Sequence, residues 1–141
     1  YLHKILKNFG IKIIVNDMKK IKIQNTKITE LIKKSDIISI NINLSSKKKL
    51  LDKEKLKLCK KNCVIINTSR PEVIDYEYLF TMLKTKRIMG AGLDVFMKEP
   101  YLGKFTNLHN VVLTPHIGSY SKEIRSKMEI EAINSILKSE S

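Results

Sequence analysis

The chain has 141 residues and a mass of 16.3 kDa, with 43% hydrophobic and 29% charged residues, enough for one domain with a core and too few for two ordinary ones. The composition is that of a globular chain, and no apolar run approaches the roughly 18 residues of a membrane span. Subtracting 14 acidic from 27 basic residues leaves +13, a balance that raises nucleic acid or an anionic surface as a partner class.

Leu2, Ile5, Leu6 and Phe9, closed by Gly10, predict the second half of a helix with a glycine stop. Ile11 to Asn16 is the first of five short β-branched runs, followed by Asp36 to Ile42, Cys63 to Thr68, Ile88 to Val95 and Val111 to Thr114. Their length and richness in Ile and Val predict largely buried strands. Helical spacing lies between them, each stretch behind a start signal: Thr26 ahead of Ile28, Asp52 ahead of Leu56, Asp75 ahead of Tyr78 and Leu79, and Ser121 ahead of Ile124 and Met128. Met97 to Asn110 is the one longer irregular stretch. Strand and helix in alternation predict an α/β fold, a doubly wound parallel sheet.

The charge excess is almost all lysine, since Arg70, Arg87 and Arg125 are the only arginines. Sites shaped to phosphate recruit the planar guanidinium fork. The densest run, Lys47 to Lys49 with Lys53, Lys55, Lys57, Lys60 and Lys61, has no interleaved aromatic on which bases could stack. The preferred reading is a solvated lysine coat with no nucleic-acid partner; a basic nucleic-acid module is the alternative, carried by net charge alone. Cys59 and Cys63 stand four apart with no histidine nearby. That is not a zinc spacing, so no metal is expected and both read as small buried hydrophobes.

In open parallel sheets ligands bind beyond the carboxyl ends of the strands. The informative positions are therefore Asp17, Asn41 to Ser45, Thr68 to Pro71, Asp94 to Glu99 and Pro115 to Ser119. A carboxylate after the second strand of a dinucleotide fold can accept both ribose hydroxyls and would repel a 2′-phosphate, so Asp17 favours NAD over NADP; it also reads as a turn residue. An imidazole such as that of His116 can both donate and accept a proton, a carboxylate such as Glu99 would hold its ring, and the fork of Arg70 suits the carboxylate of a 2-oxo or 2-hydroxy acid. Each also has a plain reading, as a loop histidine, a surface acid before Pro100 and a helix-approach cation.

Three strings in this order and spacing decide between these readings. Ile65-Ile66-Asn67-Thr68-Ser69-Arg70, Arg87-Ile88-Met89-Gly90-Ala91-Gly92-Leu93-Asp94-Val95-Phe96 with Glu99-Pro100, and Asn110-Val111-Val112-Leu113-Thr114-Pro115-His116-Ile117-Gly118-Ser119 resemble the D-isomer-specific 2-hydroxyacid dehydrogenase family, phosphoglycerate dehydrogenase among its members. The resemblance runs over essentially the whole chain, within the family's Rossmann-like NAD-binding domain. It implies Arg70 as the substrate-carboxylate arginine, His116 as the acid/base and Glu99 as its paired carboxylate. It implies NAD contacts at Asp17 on the ribose, Ile42 and Asn43 at the adenosine half, Asp94, Thr68 and Ser69 at the nicotinamide, and His116, Gly118 and Ser119. A cytoplasmic, homodimeric oxidoreductase acting on a small 2-hydroxy or 2-oxo acid is the implied parent. An NAD(H)-sensing, non-catalytic protein on the same scaffold is the alternative.

Departures from the pattern carry expectations of their own. Pro71 replaces the usual glycine and should push Arg70 toward extended backbone, while Asn41 and Asn43 replace the usual histidine and proline. No Gly-x-Gly-x-x-Gly occurs, although the family places it just before the opening helix, so residues 1–141 are expected to be a partial NAD-binding domain, N-terminally truncated, without the first strand, the phosphate-cradling loop or the substrate-binding domain. In the strand order 3-2-1-4-5-6 the missing strand is central. The chain alone is expected to be inactive, and either to pair strands that should not meet or to stay partly molten.

Overall fold

The computed structural model describes residues 2–18, 25–42 and 49–139. Its elements in chain order are α1 (Leu2–Lys7), α2 (Ile28–Lys34), β1 (Ile37–Ile40), α3 (Lys53–Leu56), β2 (Val64–Asn67), α4 (Tyr76–Lys84), β3 (Gly90–Leu93), β4 (Val111–Leu113) and α5 (Lys122–Ser139), with 3₁₀ turns at Pro71–Val73 and Lys104–Asn107. Four strands form one parallel sheet in the order β1-β2-β3-β4.

The register places Ile38, Ile65, Ala91 and Val111 in one row and Ile40, Asn67, Leu93 and Leu113 in the next but one. Side chains alternate across a sheet, so these rows share a face. Ile32 of α2, Leu56 of α3 and Leu79, Met82 and Leu83 of α4 join Ile38, Ile40, Ile65, Ala91 and Leu93 in the buried core, with α3 in contact with both its helical neighbours. The opposite face carries Ile37 and Val112, which are 62% and 69% exposed. Cys59 and Cys63 are buried, unbridged thiols, as their reading as small hydrophobes required.

The helix starts follow their signals with one exception. The side chains of Asp52, Asp75 and Ser121 accept from the backbone N–H groups of Lys55, Tyr78 and Ile124, each satisfying an orphan donor of the first turn. Thr26 does not cap α2, where Lys27 stands at the cap without a side-chain bond. Its backbone is used elsewhere: its N–H donates to Val15 and its carbonyl accepts from the Asn16 amide, both at 2.7 Å. Gly10 ends the opening helical segment at φ +69°.

The run Ile11 to Asn16 corrects the expectation of a fifth strand. Only Val15 makes a ladder contact, a parallel bridge to Asn25. A strand needs a neighbour along its length to satisfy its backbone groups. In the expected order 3-2-1-4-5-6, with the five runs as strands 2 to 6, β1 would lie beside this run; instead it pairs with β2, and with no other strand among the described residues.

Candidate active site

Parallel strands bring their carboxyl ends to one edge. At the end of β2 the side chain of Asn67 is fully buried; its Nδ2 donates to the Arg70 carbonyl at 2.9 Å, and its Oδ1 accepts from the Ser69 N–H and hydroxyl at 3.1 and 3.0 Å. These bonds fold the chain into a turn that exposes Thr68 and Arg70 and buries Ser69. Arg70 is extended, φ −143° and ψ 143°, as Pro71 requires of its predecessor, and Pro71 opens the 3₁₀ turn. One guanidinium nitrogen, Nη1, donates to the Ser69 carbonyl at 2.7 Å.

Asp94 follows β3 and is only 5% exposed. Oδ1 accepts from the Thr114 hydroxyl at 2.6 Å and the Ile117 N–H at 2.9 Å, and Oδ2 from the Gly118 N–H at 3.1 Å. Burial by itself would raise the carboxyl's pKa, but the three hydrogen bonds together outweigh it and hold the group below the ordinary carboxylate range. One carboxylate therefore pins the loop after β4. Within that loop His116 takes φ +55°, a left-handed conformation uncommon outside glycine.

The imidazole of His116 meets Glu99, Nδ1 to Oε2 at 3.0 Å, while Oε1 of the same carboxylate accepts from the Phe96 N–H at 3.0 Å. The bond to His116 and then the one to Phe96 hold Glu99 below its usual pKa. An ionised carboxylate only accepts, so Nδ1 carries the proton, and Nε2 is the nitrogen left for a reacting oxygen. An imidazole oriented by a carboxylate at Nδ1 can pass a proton at Nε2.

Arg70, Glu99, His116, Asp94, Thr68, Ser69, Gly118 and Ser119 thus all stand on the loops that leave the carboxyl ends of β2, β3 and β4. Ile42, 38% exposed, follows β1, and Asn43 lies outside the described residues. Asp17 stands beyond the Val15–Asn25 bridge, not on the four-stranded sheet; the Asn25 amide brackets it, accepting from its N–H at 3.0 Å and donating to its carbonyl at 2.6 Å. Sequence reasoning passed over the supporting residues Asn67, Tyr76 and Thr114. The one signal for Asn67 was a polar residue inside the Ile-Ile-Asn-Thr string of a buried run. Two open clefts of about 650 and 490 Å³ lie at the opposite edge, lined in part by Lys60, Lys61, Lys86 and Arg87 and by Asn62 and Met89. Their lining holds no carboxylate and no histidine.

Comparison with known proteins matches residues 1–118 to the family described as D-isomer specific 2-hydroxyacid dehydrogenase, NAD binding domain. Glyoxylate reductase of Thermococcus litoralis is 41% identical over 145 aligned residues, covering 96% of this chain and 44% of the relative. The chain thus spans less than half of that relative's length. Among solved structures, an acyclic imino acid reductase in complex with NADPH and D-Arg superposes with a TM-score of 0.84 at 40% identity, over 96% of this chain and 46% of that one. The NAD-complexed D-isomer specific 2-hydroxyacid dehydrogenase of Lactobacillus delbrueckii ssp. bulgaricus gives 0.83 at 26% identity, over 98% and 49%. Motif order, parallel sheet and family match agree: this chain belongs to the D-isomer-specific 2-hydroxyacid dehydrogenase family and carries its NAD-binding domain.

Proposed function

We propose that the chain is the NAD-binding part of a longer oxidoreductase that reduces a small 2-oxo acid to a D-2-hydroxy acid, with Arg70, Glu99 and His116 at the reacting centre. The observation that carries this reading is the 3.0 Å contact between Glu99 and His116 Nδ1, made on the same sheet edge that presents Arg70.

The residues present fit two parts of a nicotinamide dinucleotide. A Cβ on Gly118 would lie 3.3 Å from Asp94 Oδ2, so the backbone there is bare beside a fixed carboxylate, and Thr68 is exposed at the neighbouring strand end. Together with Ser69 and Ser119 they form the wall for the nicotinamide; on the family likeness, Asp17 takes the adenosine ribose, its carboxylate favouring NAD over NADP, and Ile42 and Asn43 flank the adenosine half. When bound, the dinucleotide supplies a hydride to the 2-oxo carbon.

Arg70 receives the substrate carboxylate in its fork and fixes the carbonyl carbon at the sheet edge. His116 delivers the proton from Nε2 to the substrate oxygen, and Glu99 keeps the ring in one tautomer and stabilises the imidazolium before transfer. The relatives narrow the substrate to be tested first: glyoxylate, with a phosphorylated 2-oxo acid as comparator for the phosphoglycerate dehydrogenase likeness. No helix of the described residues is long and apolar enough to cross a membrane; a cytoplasmic location and a homodimer follow from the family likeness.

The test is NADH oxidation by the longer protein. His116→Ala and Arg70→Ala should each lower kcat/KM with glyoxylate by roughly 10² to 10⁴-fold, with NADH preferred over NADPH. Rates within a factor of two of the parent in both variants would reject the assigned roles.

A further inference from the structure

Asn67, fully buried, and Tyr76, half-buried, form a polar link that the reaction described above leaves without a use. All four hydrogen-bonding positions of the Asn67 side chain are taken: Oδ1 by Ser69, and Nδ2 by the Arg70 carbonyl and by the Tyr76 hydroxyl at 3.2 Å. The Tyr76 hydroxyl passes the contact on, donating to the Val95 carbonyl at 2.9 Å. Val95 precedes Phe96, whose N–H holds Glu99 Oε1, and Glu99 Oε2 holds His116. One hydroxyl therefore stands between the turn that carries Arg70 and the loop that carries Glu99.

We infer that Tyr76 is a positioning residue, its hydroxyl fixing the Arg70 turn and the Glu99 loop relative to one another so that substrate carboxylate and acid/base pair are set together. This rests on the function proposed above. The ring is seated independently of the hydroxyl, edge-on to Phe96 at 6.4 Å and to Phe105 at 5.7 Å, with Phe96 stacked on Tyr101 at 4.1 Å. Burial pushes the hydroxyl's pKa up to about 12, so it stays protonated and keeps its donor bond to Val95 across any working pH. Glu99 and Arg70 sit on different strand ends, 29 positions apart in sequence by subtraction of their numbers, and the sheet fixes only the strands. The loops beyond need a tie of their own, because reacting groups must be held to a fraction of an ångström.

The test uses the longer protein with ¹⁵N-labelled histidine and the variants Tyr76→Phe and Phe80→Leu. Tyr76→Phe keeps the ring contacts and removes only the link. It should lower kcat/KM with glyoxylate by roughly 10- to 100-fold, raising KM through Arg70 and lowering kcat through His116. The ring nitrogens of His116 should change from a single Nδ1–H tautomer to a mixture, while Tm stays within a few degrees. Phe80→Leu removes the Phe80–Phe105 contact, which has no polar route to the site, and should lower Tm while leaving the tautomer unchanged. A Tyr76→Phe protein with the parent's tautomer pattern, or a Phe80→Leu protein with the same loss of it, overturns the inference. A parent protein that turns over no 2-oxo acid rejects the proposed function instead, and the tautomer comparison still decides on Tyr76.

Discussion

Asp94 shows how one side chain shapes a site it does not complete. Its carboxylate gathers three donors from the end of β4 and the loop beyond, and so fixes where His116 begins. Asp94→Asn turns one acceptor into a donor facing the Gly118 or Ile117 N–H, and at pH 7 should cost about 2–3 kcal/mol of stability. The pH dependence has a definite sign. A carboxyl whose folded pKa is depressed adds stability in full above its unfolded value of about 3.9, and loses it as pH falls through the lower folded value. The gap between wild type and Asp94→Asn in denaturation experiments should therefore narrow below about pH 4; an unchanged gap at pH 3 would refute the account. Arg70, Asp94, Glu99 and His116 were legible because they sit near strand ends inside three strings that resemble one family; taken singly, Arg70, Glu99 and His116 each also had a plain reading. Asn67 and Tyr76 were not, since a buried amide and a helix-start tyrosine look like ordinary core until the folded chain shows what they touch.

At the scale of elements, strand existence was legible from Ile and Val content and strand pairing was not. The runs Asp36 to Ile42, Cys63 to Thr68, Ile88 to Val95 and Val111 to Thr114 each became a strand of three or four residues, trimmed at one or both ends. Ile11 to Asn16 has the same composition and became no strand, because a ladder depends on a neighbour that composition does not reveal. The glycines of β3 illustrate the reverse case, a feature seen in the sequence whose cause is tertiary. A Cβ on Gly90 would lie 2.8 Å from the Asn110 carbonyl oxygen, a backbone atom that cannot move without pulling β4 off its register. Gly90→Ala should therefore destabilise the fold by about 1–3 kcal/mol, seen as a lower midpoint in urea. Gly92→Ala meets only Ile66 side-chain carbons at 3.9 Å, ordinary contact, and should be much milder; equal effects would show that the approach to Asn110 is not the cause.

At the scale of the molecule, burial is one-sided. The core lies between the sheet and α2, α3 and α4, whereas α1 buries no residue and α5 exposes Ile124, Met128, Ile130, Ile133, Ile136 and Leu137. Helices in proteins owe most of their stability to an apolar face packed against something. α1 has six residues, well below the length at which a helix is stable alone in water, and α5, though longer, spends its hydrophobic residues on solvent. The free energy of opening a segment scales with what it buries, from near zero up to the global value. Hydrogen exchange on the 141-residue chain should therefore be graded: amides of β2, β3 and α4 exchange slowest and together, while those of α1 and α5 exchange orders of magnitude faster. In the longer protein, α5 should gain protection if its apolar residues are covered there. Protection of α5 equal to that of α4 in the chain alone would contradict the one-sided core. Uniformly fast exchange would mean that burying one face of this sheet is too little to hold it, which the contrast between β3 and α5 measures directly.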